Sequence, residues 1–229
     1  GVGRGVAGIA QLPGGVSVAQ CIQRKERIAS SLAVDSIYLK LEKGANDGQL
    51  KFWAPSGDPF SNNKRPLPLI QEESWNSWKP APFAFTADDK TVFQQLMYSN
   101  MLIGSKPGAG KTFAARCAVA PYILDPTVKI YLANGKFDGA WAAVKPFAQR
   151  YIRGRADEQA LEVEQMLAEV QAEMDRRFLE HMDDASKVTE GMGLSPILVV
   201  VDELQNYTTN SLPVDKLLRG KKATLGQWI

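Results

Sequence analysis

Two short stretches carry residue types that could act together on a polyphosphate. Residues 102–112 read LIGSKPGAGKT and residues 196–206 read PILVVVDELQN. In the first, an apolar strand end runs into a glycine-rich loop closed by Lys111 and Thr112. Glycines let backbone N–H groups converge on anionic oxygens, and a following helix adds its positive N-terminus. Lys111 is positioned to reach the β and γ phosphates of a nucleoside triphosphate, and the Thr112 hydroxyl to hold Mg²⁺. The phosphate cradle predicted from this pattern comprises Gly104, Ser105, Lys106, Pro107, Gly108, Ala109, Gly110, Lys111, Thr112 and Phe113. The usual spacing places a glycine where Ser105 stands. That exchange is costly only if Ser105 must adopt a positive φ.

The second stretch supplies what hydrolysis needs beyond binding, an acid for the metal and a group to orient the attacking water. Ile197 to Val201 form an unbroken aliphatic run, expected of a parallel strand buried on both faces. Asp202 and Glu203 follow at its C-terminal end, where ligands bind in open α/β sheets. Asp202 is predicted to serve Mg²⁺, Glu203 to polarise water, and Lys111 and Glu203 to be the catalytic pair.

These groups need a strand, a loop and a helix in order. YSNMLI predicts a buried strand before the loop, and TFAARCAVA a helix after it. VKIYLAN predicts another buried strand. Residues 138–151, with Trp141, Val144 and Phe147 at helical spacing, predict a short core-facing helix, and Trp141 reads as core rather than site. Residues 157–182 predict the longest helix, with Val163, Met166, Leu167, Val170, Met174 and Phe178 as its core stripe and Glu173 four residues before Arg177. Alternating strands and helices imply a mostly parallel sheet with flanking helices, the α/β architecture of a P-loop NTPase.

Ahead of this region, residues 1–16 read as a flexible glycine-rich lead-in, since no strand can precede the GxGxxG of Gly3, Gly5 and Gly8. The start without methionine reads as a processed chain or a fragment. Residues 17–60 predict a small α/β subdomain with a basic amphipathic helix over 17–33 and strands in SIYLKLEK and QLKFWAP. The proline-rich stretch 61–82 reads as a connector, and 83–229 as the ATPase domain.

Composition narrows the class. At 229 residues, with 45% hydrophobic and 23% charged residues, the chain can bury a sizeable core. No apolar run approaches the ~18 residues needed to cross a bilayer, and no signal peptide is visible, so the expected location is the cytoplasm, with membrane association through segments outside this chain left open. Cys21 and Cys117 predict neither a disulfide nor a zinc cluster and read as buried thiols. His181, the only histidine, has no companion ligands. With 27 basic and 25 acidic residues, the net charge of +2 does not point to nucleic acid. Arg150, Arg153 and Arg155, and Lys216, Arg219, Lys221 and Lys222, read as solvated charge.

Taken in order, RIASSLAVDSIYL, GDPF, PLPLI, NMLIGSKPGAGKT, LANGKFDG, AEVQAEMDRRF and ILVVVDEL resemble the FtsK/SpoIIIE family of double-stranded DNA translocases, especially its actinobacterial and plasmid-transfer branch. The resemblance implies a RecA-like motor that hydrolyses ATP with Mg²⁺ and threads duplex DNA through a homo-hexameric ring. It implies nucleotide and metal roles for Gly108, Gly110, Lys111, Thr112, Asp202 and Glu203. Lys136 becomes a further candidate, with Asn134 where the family commonly has an acid. Glu173, Arg176 and Arg177 match a signature helix and serve equally as structural ion pairs. Such motors place another strand between the P-loop strand and the acid-bearing strand, and that segment is not recognisable here. The chain therefore resembles the first half of a motor domain, expected to be poorly soluble or inactive alone. Two other readings remain open: a nucleotide-binding assembly module without motor activity, and a related ATPase that drives protein secretion.

Overall fold

The computed structural model describes residues 4–61, 66–155, 157–181 and 187–208. The basic cluster at Lys216, Arg219, Lys221 and Lys222 lies outside them. The chain divides into two compact units, one of residues 1–70 with 82–94 and one of residues 71–81 with 95–229.

In the first unit, β1 (Gly5–Gln11), β2 (Lys40–Lys43) and β3 (Gln49–Pro55) form an antiparallel sheet in the order β1-β3-β2. The segment read as a lead-in is therefore a strand in its described part. Its glycines obscure the strand in the sequence, yet the close pairing uses one of them: a Cβ at Gly5 would lie 2.5 Å from the Ala54 carbonyl oxygen of β3. Ser17 starts α1 (Val18–Gln23) with a capping box, its hydroxyl accepting from the Gln20 N–H while the Gln20 side chain accepts from the Ser17 N–H. Arg24 separates α1 from α2 (Lys25–Ser31), so the single helix expected over 17–33 is two. β4 (Ala81–Phe85) and β5 (Thr91–Gln94) pair as a two-stranded sheet.

The second unit is built on a three-stranded parallel sheet of β6 (Lys129–Asn134), β7 (Ala148–Arg153) and β8 (Ile197–Asp202), in the order β7-β6-β8. Leu132 and Ile130 face Val119 and Tyr122 of α3 (Lys111–Ile123), together with Trp141 and Val144. On the other face, Ala133 and Ile152 pack with Ala160, Val163 and Met166 of α4 (Asp157–His181) and Tyr207 of α5 (Gln205–Thr208). The result is a mixed α/β unit whose parallel sheet carries helices on both faces.

Three expectations change here. Residues 138–151 form turns, a 3₁₀ segment at Lys145–Phe147 and then β7, not a helix. Pro146 favours the 3₁₀ start, and pairing with β6 draws AQRYIR into the sheet. The α4 stripe is core only in its first half: Val163 and Met166 are buried, whereas Met174 and Phe178 are exposed. Finally, YSNMLI forms no strand. Leu102 is 91% exposed, and no strand among the described residues pairs with this segment to satisfy a ladder. A strand needs a neighbour for its backbone groups.

Cys21 and Cys117 are free and half-buried rather than buried. Among the described residues no helix is long and apolar enough to cross a membrane.

Candidate functional site

Parallel pairing sets the floor of the site. Asn134 of β6 is in register with Arg153 of β7 and with Asp202 of β8, so three strands end at one level. Helix α3 begins beside them. Its capping residue, Gly110, has φ +88° and offers no side-chain cap, so the N–H groups of the first turn have no capping side chain to satisfy them. Gly108 is also left-handed, at φ +77°. Both positions are glycines in a conformation that side chains disfavour. Ser105 is not among the residues with positive φ, so serine costs no backbone strain at that position.

The loop from Gly104 to Ala109 is exposed, as is Phe113, at 71%. Gly104, Ser105, Lys111, Asp202 and Glu203 border one groove of about 1020 Å³. Thr112 and Asp202, 90 residues apart in sequence, meet directly: the Thr112 hydroxyl donates to Asp202 Oδ2 at 3.1 Å. The Trp141 indole N–H donates to the same oxygen at 2.8 Å.

Glu203 sits one residue beyond the strand, with a side chain only 10% exposed. Its φ of +57° is a left-handed value for a residue with a full side chain, a strain of the kind that persists where surrounding structure over-determines it. Lys136 Nζ forms an ion pair with Glu203 Oε1, and Gln205 donates to Oε2. The ammonium of Lys136 holds the Glu203 carboxyl below its ordinary range against the opposing effect of burial, with help from Gln205 and Lys111. The same pairing raises Lys136.

The turn after β6 locks this arrangement. The Gly135 N–H donates to the Asp202 carbonyl at 2.9 Å, and Asn206 Nδ2 donates to the Gly135 carbonyl at 2.9 Å. Gly135 permits the approach, since a Cβ there would stand 2.9 Å from the Glu203 carbonyl oxygen. Asn134 is fully buried; its amide donates to Asp138 and its Oδ1 accepts from the Lys136 N–H. A carboxylate in that place would be buried beside Asp138, at a desolvation and repulsion cost that the amide avoids.

The structure thus gathers Lys111, Thr112, Asp202, Glu203 and Lys136 at one sheet end. Glu173 stands elsewhere, on α4, where Arg176 and Arg177 each bond it at 2.8 Å and draw its pKa down to about 2. Those three residues form an ion-pair cluster within the helix. Arg150 likewise pairs with Glu169 of α4. His181 lies 3.7 Å from Glu180. Asn206 is a site residue that no sequence signal announced, and Trp141, read as core, is core and also donates to Asp202; the LANGK turn was the signal for this neighbourhood, though it did not name its partners.

The oxygen pair of Thr112 and Asp202, next to an uncapped helix N-terminus and a loop with two left-handed glycines, suits a hard divalent cation bound with a polyphosphate. Mg²⁺ takes one or two protein oxygens and fills its remaining positions with phosphate and water. No protein-family model matches the chain, and no curated protein matches it.

Proposed function

We propose that this chain is the ATP-binding and ATP-hydrolysing part of a P-loop motor of RecA-like type. The observation that carries the reading is the 3.1 Å contact between Thr112 and Asp202 beside the uncapped start of α3. Bound Mg²⁺-ATP would supply the anionic phosphoryl group and the metal charge that offsets charge developing during transfer. Lys111 and the N–H groups of Gly108, Gly110 and the first turn of α3 bind phosphate oxygens. Thr112 and Asp202 would hold the metal. Glu203, kept ionised by its surroundings, accepts a hydrogen bond from the attacking water and orients it. Duplex DNA as the cargo and a homo-hexameric ring as the assembly rest on the resemblance to the FtsK/SpoIIIE translocases, with roles in chromosome segregation, cell division or plasmid transfer.

A second reading, nucleotide binding without turnover, is supported by the engagement of Glu203 with Lys136 and Gln205. ATP hydrolysis by the natural protein, with and without duplex DNA and alongside Lys111→Ala and Glu203→Gln, separates the readings. DNA-stimulated turnover lost in both variants fits the motor. Mg²⁺-ATP binding without turnover fits the binding module, and turnover indifferent to duplex DNA removes DNA as the cargo.

A further inference from the structure

We infer that Trp141 is a positioning residue for the metal-binding carboxylate, an inference that rests on the nucleotide reading above. The indole is fully buried, packed in the cluster of Val119, Tyr122, Val128, Ile130, Leu132 and Val144. An aromatic ring held on all sides has one orientation, and so the direction of its N–H is fixed. That N–H lies 2.8 Å from Asp202 Oδ2, on a residue 61 positions later in the chain.

Buried indole N–H groups generally find a partner, so one hydrogen bond alone would say little. The informative feature is where it lands. Thr112 and Trp141 both donate to Oδ2, one from a rotatable hydroxyl that would itself ligate the metal and one from an indole fixed in the core. A carboxylate restrained at one oxygen by two donors from different directions cannot rotate freely about its Cβ–Cγ bond. Its other oxygen, Oδ1, is thereby held for the metal or its water. Without the indole donor, the Thr112 hydroxyl still bonds Asp202 Oδ2, but that hydroxyl must reorient when it turns a lone pair to a cation. Trp141 thus supplies the restraint that does not change on loading. It acts through Asp202.

The test uses the full chain and a fluorescent ATP analogue, recording the Mg²⁺ concentration that half-saturates metal-dependent binding. Trp141→Phe keeps an aromatic ring and removes the N–H. It should raise the Mg²⁺ midpoint about tenfold, the low end of what loss of a ligand-orienting contact costs, while binding measured in EDTA stays unchanged. Val144→Ala trims the same cluster without touching Asp202; it should lower thermal stability and leave the Mg²⁺ midpoint in place. Should Trp141→Phe fail to fold, β-(3-benzothienyl)alanine at position 141, with sulfur for N–H in a ring of the same shape, makes the same comparison. An unchanged Mg²⁺ midpoint in the N–H-free chain overturns the inference and leaves the nucleotide reading standing. A wild-type chain without Mg²⁺-dependent binding overturns both.

Discussion

Strands β6 and β8 are similar in sequence and different in surroundings. KIYLAN and ILVVVD are both apolar runs that end on a polar residue at the same level of the sheet. β6 has a strand on each side, and Leu132 and Ala133 are sealed at 0% exposure. β8 pairs with β6 alone among the described residues, and all six of its residues are only partly covered. Together with Leu96 to Ser105 and with Val163, Leu167 and Met174, its residues line one groove. Hydrophobicity nominates a strand for burial, and neighbours decide how far that burial goes. The same rule explains why YSNMLI stays outside any sheet.

The contrast predicts unequal costs for equivalent truncations. Leu132→Ala removes a fully buried side chain of the two-sided strand and should cost about 3 kcal/mol, within the range for buried Leu to Ala. Chemical denaturation measures it. Gly135→Ala, where β6 leaves the sheet, forces a Cβ to within 2.9 Å of the Glu203 carbonyl oxygen. Separating the two strand ends should cost about 2 kcal/mol by overpacking, and the same denaturation series reads it. Leu198→Ala in β8 removes the same three carbons and should cost only about 1 kcal/mol, because its side chain is already partly exposed. A Leu198→Ala penalty equal to that of Leu132→Ala would break the comparison.

The smallest effect concerns pH. The Glu203 carboxyl is lowered by Lys136, so the stabilisation from their pairing is fully present above the ordinary carboxyl value of 4.5. It is lost as pH falls through the lower folded-state value. Lys136 is raised by the same contact, so at the alkaline end the contribution is present below its ordinary value of 10.5 and fades as pH rises through the folded-state value. With the Lys136 side chain 46% exposed, screening limits the pair to less than ~1 kcal/mol. Lys136→Met should therefore flatten the acid limb of the stability profile slightly; a limb as steep as the wild type's would show that the pair contributes nothing.

Much of the second unit was legible because its signals are local. The aliphatic runs of β6 and β8, the periodicity of α4 and the glycine spacing before Lys111 each fit inside one element. The elements that escaped depend on partners. GVAGIAQ becomes β1 because β3 lies beside it, and AQRYIR becomes β7 because β6 does. At the site, residue types announced Lys111, Thr112, Asp202 and Glu203, and none of them announced Trp141. A buried indole over Asp202 is a long-range product of packing, with no spacing rule to reveal it.

Equilibrium binding of a fluorescent ATP analogue to the 229-residue chain, with and without Mg²⁺ and beside Lys111→Ala, tests the central claim most directly. Binding that Mg²⁺ strengthens and that Lys111→Ala abolishes is the result expected of a phosphate loop served by Thr112 and Asp202. Equal binding by both chains, or binding indifferent to Mg²⁺, would contradict it.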